Sequence, residues 1–268
     1  MRPEPPLPPV ELRELVGLPD AAIWEVQPGA PIRPYLDPEV YQAVLDFGCG
    51  AGREARQLLV QEPKPERYLG LDLHRGMIEW CRRALEPLDP AFSFVHHDVH
   101  YIGLNPDGTR DHLPFPAQDQ SFSLVLATSV FTHLLDTDAI FYLRECARVL
   151  RPGGVLDATW FLFDKRLFPM MQPFQNTLFM NLADPTNAVI YARDWLRIAC
   201  EEAGFGLLNA QAPVLRGFHW RIAVRKLAPG EEPPPFELPP DDGPVGSMPA
   251  PQMPPNAARL GLDPRSPS

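Results

Sequence analysis

The sequence predicts one α/β domain built on a seven-stranded, mostly parallel sheet, with helices on both faces and an antiparallel last strand. From residue 43 onward, short apolar runs alternate with segments of helical period, which is the pattern of repeated βα units. The chain has 268 residues. This length suffices for one substantial hydrophobic core and is too short for two full domains.

The individual strands and helices are predicted from local patterns. Residues 138–150 place Ile140, Leu143 and Ala147 on one face, at the spacing of an amphipathic helix. The Arg-Pro-Gly-Gly run at 151–154 is expected to end this helix and turn the chain into the next strand. The strands are predicted at 43–47, 67–71, 93–97, 122–127, 155–163, 205–210 and 218–225. The main helices are predicted at 53–60, 76–85, 138–150 and 194–203.

Prolines mark both ends of the chain. Of the 35 prolines, five lie in residues 1–9 and 13 lie in residues 229–268. Segments so poor in aliphatic residues bury too little apolar surface to offset their chain entropy. We therefore predict disordered ends at 1–9 and 229–268 and a folded domain at 10–228.

Three inserts interrupt the βα rhythm, at residues 1–41, 101–120 and 164–193. In open α/β sheets the ligand binds beyond the carboxyl ends of the strands, and inserts after those strands can cover it. We expect the inserts to select the substrate.

The overall charge disfavours some partners. A net charge of −10 argues against nucleic acid and anionic membranes, because surfaces that bind many phosphates are usually basic. No apolar run reaches the roughly 18 residues that span a bilayer, so we expect a cytoplasmic protein. The four cysteines form no CxxC pair and are expected to be reduced thiols in the core.

The run from Val44 to Arg53 is a buried strand entering a glycine-rich turn and a helix. Glycines let a ligand approach the backbone, and the helix N-terminus supplies free N–H groups. The glycines fall as GxGxG, whereas a dinucleotide site requires GxGxxG. Asp46, two positions before the first glycine, would repel a pyrophosphate but suits a ligand with an ammonium group, such as S-adenosylmethionine.

The stretch Val-Leu-Asp-Phe-Gly-Cys-Gly-Ala-Gly-Arg at 44–53 resembles the first motif of class I methyltransferases. Further motifs match in order: Tyr-Leu-Gly-Leu-Asp at 68–72, His-Asp-Val at 97–99, the segment 121–134, and Arg-Val-Leu-Arg-Pro-Gly-Gly at 148–154. The resemblance covers about residues 45–225. It implies a Rossmann-like fold with S-adenosylmethionine as the cofactor.

The resemblance also assigns roles to single residues. Asp46 would orient the methionine part of the cofactor, Asp72 would accept both ribose hydroxyls, and Asp98 would accept from the adenine amino group. Leu73 and Met77 would flank the adenine, and the Val99 N–H would donate to its ring. The predicted cofactor-binding residues are Asp46, Gly48, Cys49, Gly50, Gly52, Asp72, Leu73, Met77, Asp98, Val99 and Thr128.

The methyl-transfer step has one leading candidate. A histidine after the fourth strand can act as general base for a hydroxyl acceptor, and His133 lies there, with Asp136 as a possible orienting partner. An amine acceptor would need alignment only. A metal site at His96, His97, Asp98 and His100 is not expected, because neighbouring residues on a strand face opposite sides.

Two other functions stay open at this point. One is an NAD(P)-dependent oxidoreductase, and the other is a non-catalytic cofactor-binding module. The motifs of DNA amino-methyltransferases and cytosine C5 enzymes are absent after the fourth strand, where the chain reads Thr-Ser-Val-Phe at 128–131. A small molecule is therefore the expected substrate. A resemblance of the segments 159–166, 184–187 and 216–220 to bacterial methyltransferases of glycan and secondary-metabolite pathways favours O-methylation of a sugar-linked acceptor.

Overall fold

The computed structural model describes residues 4–244. Within this part, the helices and strands alternate as the sequence predicts from residue 43 onward. The helices are α1 Val10–Leu15, α2 Arg53–Val60, α3 Arg75–Ala84, α4 Asp136–Val149 and α5 Arg193–Glu202. The strands are β1 Ala43–Phe47, β2 Arg67–Asp72, β3 Phe92–His96, β4 Phe122–Ala127, β5 Leu150–Phe163, β6 Thr177–Phe179, β7 Val189–Ala192, β8 Phe205–Gln211 and β9 Trp220–Lys226.

Seven of these strands form the predicted sheet. Its order is β3-β2-β1-β4-β5-β9-β8, in which β1 to β5 pair in parallel and the last strand, β9, is antiparallel to both β5 and β8. The predicted α/β class and the antiparallel last strand are thereby confirmed. The carboxyl ends of β1, β2, β3 and β4 meet at one edge, where a ligand of such a sheet binds.

The predicted number of strands needs a correction. The insert after β5 contributes two short strands, β6 and β7, so the described sheet has nine strands. β7 pairs in parallel with residues 161–163 of β5, and β6 pairs antiparallel with β7. These strands form because β5 runs past the end of its pairing with β9 at Trp160 and leaves its last residues free for a partner.

The transition from α4 to β5 also differs from the prediction. The helix begins at Asp136 and ends at Val149, and residues 151–154 belong to β5. The register between β4 and β5 shifts between Phe122 and Leu124. A local bulge of this kind absorbs Gly153, whose φ is 80°, without ending the strand.

Two hydrophobic cores lie on opposite faces of the sheet. Leu45 and Phe47 of β1 point to the core formed with α4 and α5. Val44 points to the other core, which contains α2, α3 and Trp24 of the N-terminal insert. This alternation follows from the two-residue period of a strand, and it confirms helices on both faces. All four cysteines are buried and free of disulfides.

Parts of both predicted tails contact the domain. The Pro5 carbonyl accepts from Arg56 Nε at 3.2 Å, and the Pro239 carbonyl accepts from Arg193 Nη1 at 3.3 Å. Phe236 and Leu238 pack against the core on the α4 and α5 side. The packed region thus reaches beyond the predicted boundaries at 9 and 228, while the predicted tails at 1–3 and 245–268 lie outside the described residues. Over residues 4–244, no helix has the length and apolar composition to cross a bilayer.

Candidate functional site

The glycine-rich turn after β1 has the conformation that only glycine adopts readily. Gly48, Gly50 and Gly52 have φ values of 78°, 53° and 80°. A Cβ on Gly48 would lie 2.3 Å from Val130 Cγ2, and a Cβ on Gly52 would lie 2.4 Å from Leu85 Cδ1. Side chains at Gly48 and Gly52 would therefore clash with the side chains packed against the turn. The structure brings the turn to the edge where the carboxyl ends of the strands meet, as the sequence predicts.

Asp72 fixes the turn to the end of β2. Its Oδ2 accepts from Gly50 N–H at 2.8 Å and its Oδ1 accepts from His74 N–H at 2.7 Å. Burial raises the pKa of this carboxyl, and the two backbone N–H groups counteract the rise. A carboxylate oxygen has two lone pairs, so each oxygen of Asp72 keeps one for a ligand. The carboxylate and the glycine cradle fit the ribose and backbone contacts that S-adenosylmethionine requires.

Asp46 lies beneath the turn. Its carboxylate accepts from Tyr68 Oη at 2.7 Å on the face packed against α2 and α3. Burial raises the pKa of Asp46 to about 8, and the negative charge of Glu54 adds to the rise. The predicted contact of Asp46 with the methionine part of the cofactor stays a prediction.

Three other residues that were predicted to bind the cofactor lie in or near the turn. Cys49 and Met77 are buried, and Cys49 Sγ lies 3.7 Å from the Gly50 carbonyl oxygen. Leu73 is half-buried, and its carbonyl pairs with His96 Nε2 at 2.9 Å. Of these three side chains, only that of Leu73 retains partial exposure for a contact with adenine.

The turn after β3 carries Asp98 and Val99. The Asp98 carboxylate is half exposed and accepts from Asn105 Nδ2 at 3.0 Å, which lowers its pKa. The Val99 N–H donates to the His97 carbonyl at 2.8 Å. An adenine ring nitrogen would have to displace this bond to use the N–H as predicted.

The histidines around β3 point in different directions. His97 is buried and pairs with Tyr142 Oη at 3.0 Å, whereas His96 pairs with the Leu73 carbonyl. His100 Nδ1 lies 2.8 Å from the Pro106 carbonyl. Across residues 4–244, no three His, Cys, Asp or Glu side chains converge as metal ligands.

His133 is held by both later inserts. Its Nδ1 lies 3.0 Å from the Thr186 carbonyl and 3.3 Å from Tyr101 Oη. A carbonyl can only accept a hydrogen bond, so Nδ1 carries the proton and Nε2 of the neutral ring is the free acceptor. The side chain predicted to orient His133 has another partner, because Asp136 Oδ1 accepts from the Thr137 N–H.

A second histidine lies near His133. Burial lowers the pKa of His219, and the charge of His133 lowers it further. Its Nε2 is 3.4 Å from Ser129 Oγ, and its ring packs against Phe161 with centroids 4.4 Å apart. Ser129 has a φ of 57° and donates its N–H to Thr159 Oγ1 at 2.7 Å. Such strained backbone is common at functional sites. Ser129 is not among the site residues predicted from the sequence.

The structure also contains a buried ionic network that is not predicted from the sequence. Arg33 of the N-terminal insert donates to Asp157 at 2.8 Å and to Glu54 at 3.0 Å. The predicted cofactor residue Thr128 joins this network, because its Oγ1 donates to Glu54 at 3.1 Å. A cavity of about 370 Å³ borders it, and Arg53 is among the lining residues. The one sequence signal was Asp157 itself, since an acid inside an apolar strand requires a partner.

Known proteins resemble both the sequence and the fold. Residues 44–154 match the family model described as a methyltransferase domain. A fatty-acid O-methyltransferase from Mycolicibacterium smegmatis is 38% identical over 112 residues, which are 41% of this chain and 34% of that protein. The sterol 24-C-methyltransferase erg6 of Aspergillus fumigatus is 29% identical over 169 residues, which are 62% of this chain and 40% of that protein. This chain thus spans between about a third and two fifths of these curated relatives.

The likeness in fold extends over more of the chain. The crystal structure of a SAM-dependent methyltransferase from Methanosarcina mazei superposes with a TM-score of 0.50 at 17% identity. The match covers 75% of this chain and 99% of that one. At this identity the match concerns the fold alone.

Proposed function

We propose that this chain, whose residues 44–154 match the family model of a methyltransferase domain, transfers the methyl group of S-adenosylmethionine to an oxygen atom of a small-molecule acceptor. The family favours methyl transfer over the NAD(P)-dependent oxidoreductase considered from sequence. The two relatives named above differ in the acceptor atom, because one is named for an oxygen and the other for a carbon acceptor.

The observation that carries the proposal is the hydrogen bonding of His133. The Thr186 carbonyl holds the proton on Nδ1, so Nε2 can accept a proton. His133 lies after β4, at the edge that carries the glycine-rich turn. A base at this position serves a hydroxyl acceptor, whose proton must leave as the new bond forms.

The remaining residues bind and orient. Asp72 and the cradle of Gly48, Gly50 and Gly52 would hold the cofactor, which supplies an electrophilic methyl group on a sulfonium. The acceptor oxygen would form the new O–C bond with the methyl carbon, the sulfonium sulfur would be the leaving group and keep the electron pair, and His133 Nε2 would take the hydroxyl proton. Alignment of the two reactants supplies most of the rate enhancement in such a displacement.

The test compares three variants with the wild type. We expect His133→Ala to lower turnover on a hydroxyl acceptor by about 10²–10⁴-fold with little change in cofactor affinity. Asp136→Ala should retain turnover, because the Thr186 carbonyl orients the ring. His112→Ala is the matched control, since His112 is a partly exposed histidine that pairs with Asp138.

Turnover is measured as formation of the demethylated cofactor with a panel of sugars and long-chain alcohols. Cofactor affinity is measured by calorimetric titration. Wild-type turnover in His133→Ala would reject the base and point to an acceptor that needs alignment alone.

A further inference from the structure

An apolar loop, residues 167–182, projects from the insert after β5. No charged residue or histidine occurs between Arg166 and Asp184. Five large apolar side chains of the loop are 65% to 88% exposed: Leu167, Met170, Phe174, Met180 and Leu182. Single exposed apolar residues are common on protein surfaces, but five within 16 residues of the chain indicate a binding surface.

The backbone of the apolar loop is held in place. Lys165 Nζ donates to the Pro173 carbonyl at 2.7 Å, and the Ala192 N–H donates to the Asn176 carbonyl at 2.8 Å. β6, which lies within the loop, pairs with β7. The apolar side chains are therefore presented to solvent by an ordered scaffold.

The loop is continuous with the site of His133. β7 joins the loop to the last residues of β5, and Phe168 packs edge-on against Phe163 there, with centroids 5.5 Å apart. The insert that carries the loop also supplies the Thr186 carbonyl to His133. A molecule that presents an oxygen to His133 can therefore extend along the loop.

The charges beside the loop argue against an anionic membrane as its partner. Lys165 Nζ donates to the Pro173 carbonyl of the loop, and Arg166 pairs with Asp164 at 2.6 Å. The chain has a net charge of −10, and among the described residues Lys165 and Arg166, the two basic residues that precede the loop, are both paired and do not form a cluster for anionic headgroups. The unbranched side chains of Met170 and Met180 adapt to varied apolar partners.

We propose that the apolar loop binds the alkyl or acyl chain of the methyl acceptor, so that the substrate class is a hydroxyl group carried on a long apolar chain. This inference rests on the proposed function, because it takes His133 as the point where the hydroxyl is bound. The chain of the acceptor would cover the side chains of Met170, Phe174 and Leu182. Its burial would then supply most of the binding free energy of the acceptor.

The test uses straight-chain alcohols, from 1-butanol to 1-decanol, titrated calorimetrically into the full chain saturated with S-adenosylhomocysteine. Affinity should rise about tenfold for every two carbons added, since a buried methylene contributes about 0.8 kcal/mol. Combined Met170→Ser and Phe174→Ser substitutions should remove most of this dependence on chain length. Leu88→Ser is the matched control, because Leu88 is an exposed leucine just before β3, at the opposite end of the strands.

The outcomes separate this inference from the proposed function. The inference would be overturned if the affinity for the alcohols did not depend on their length, or if the Met170→Ser and Phe174→Ser variant kept that dependence. Either result would count whatever the rate of His133→Ala. Sedimentation adds two alternatives: a dimer, or binding to phosphatidylglycerol vesicles. If the serine variant abolishes either of these while the alcohols bind without regard to length, the loop serves that partner instead. A wild-type rate in His133→Ala, with the length dependence intact, would reject the base and leave the loop assignment standing.

Discussion

His97 should make the stability of the fold depend on pH. Its ring is 4% exposed, pairs with Tyr142 Oη and packs beside Phe47 and Phe115. Burial lowers the pKa of His97 from 6.5 to about 4, and the nearby positive charge of His96 acts in the same direction. Between these two pH values the unfolded chain binds a proton that the folded chain excludes.

The sign and size of the effect follow from that difference. The stabilising contribution is complete above pH 6.5, and it is lost as the pH falls toward 4, because the unfolded state then gains the proton first. A difference of 2.5 in pKa corresponds to about 3 kcal/mol at 1.36 kcal/mol per unit. This is a large share of the stability of a typical domain.

Urea denaturation of the wild type and of His97→Gln at several pH values between 4 and 7.5 would measure the effect. The wild type should lose about 3 kcal/mol more than the variant over this range. Tyr142→Phe is the control, and it should keep the wild-type dependence because burial is the main cause of the shift. Parallel curves for the wild type and His97→Gln would refute the reasoning, and a flat curve for Tyr142→Phe would assign the shift to the hydrogen bond.

Two further predictions concern the cofactor and the chain end. Asp72→Ala should weaken binding of S-adenosylmethionine about thirtyfold in calorimetry, since two hydrogen bonds that a carboxylate accepts from ribose hydroxyls contribute about 2 kcal/mol; unchanged affinity would exclude Asp72 from the ribose site. A chain that ends at residue 228 should melt about 5 °C below one that ends at 244, because Phe236 and Leu238 leave the core. Equal melting temperatures by calorimetry would mean that these contacts contribute nothing.

The glycine-rich turn and the strands around it could be predicted because their signals are local. The apolar run of β1, the spacing of Gly48, Gly50 and Gly52, and Asp72 at the end of the next strand all lie within 30 residues of sequence. Parallel pairing of β1 and β2 then brings them to one edge. The resemblance to class I methyltransferases is confirmed for residues 44–154.

The contacts of His133 and Arg33 could not be predicted in the same way, because they join distant segments without periodic patterns. Arg33 and Asp157 are separated by 124 positions, and His133 and Thr186 by 53. The predicted pairing of Asp136 with the ring is not the contact that the structure shows, since α4 begins at Asp136 and the carboxylate of this residue accepts from the Thr137 N–H. Moreover, the contact of His133 with the Thr186 carbonyl cannot be predicted from residue types, because every residue has a backbone carbonyl.

The pairing of Phe163 with Ala192 has a consequence for how such a protein can diversify. These two residues are the last of β5 and the last of β7, so the segment between them leaves and re-enters the domain at adjacent points, about 5 Å apart. A segment with neighbouring ends can gain or lose residues at a small entropic penalty, which grows only with the logarithm of its length. Within this segment, residues 164–187 can thus be exchanged, whereas Val189 and Tyr191 belong to the core. Chimeras joined at 163 and 188 could change the acceptor while leaving β7, the glycine-rich turn and Asp72 untouched.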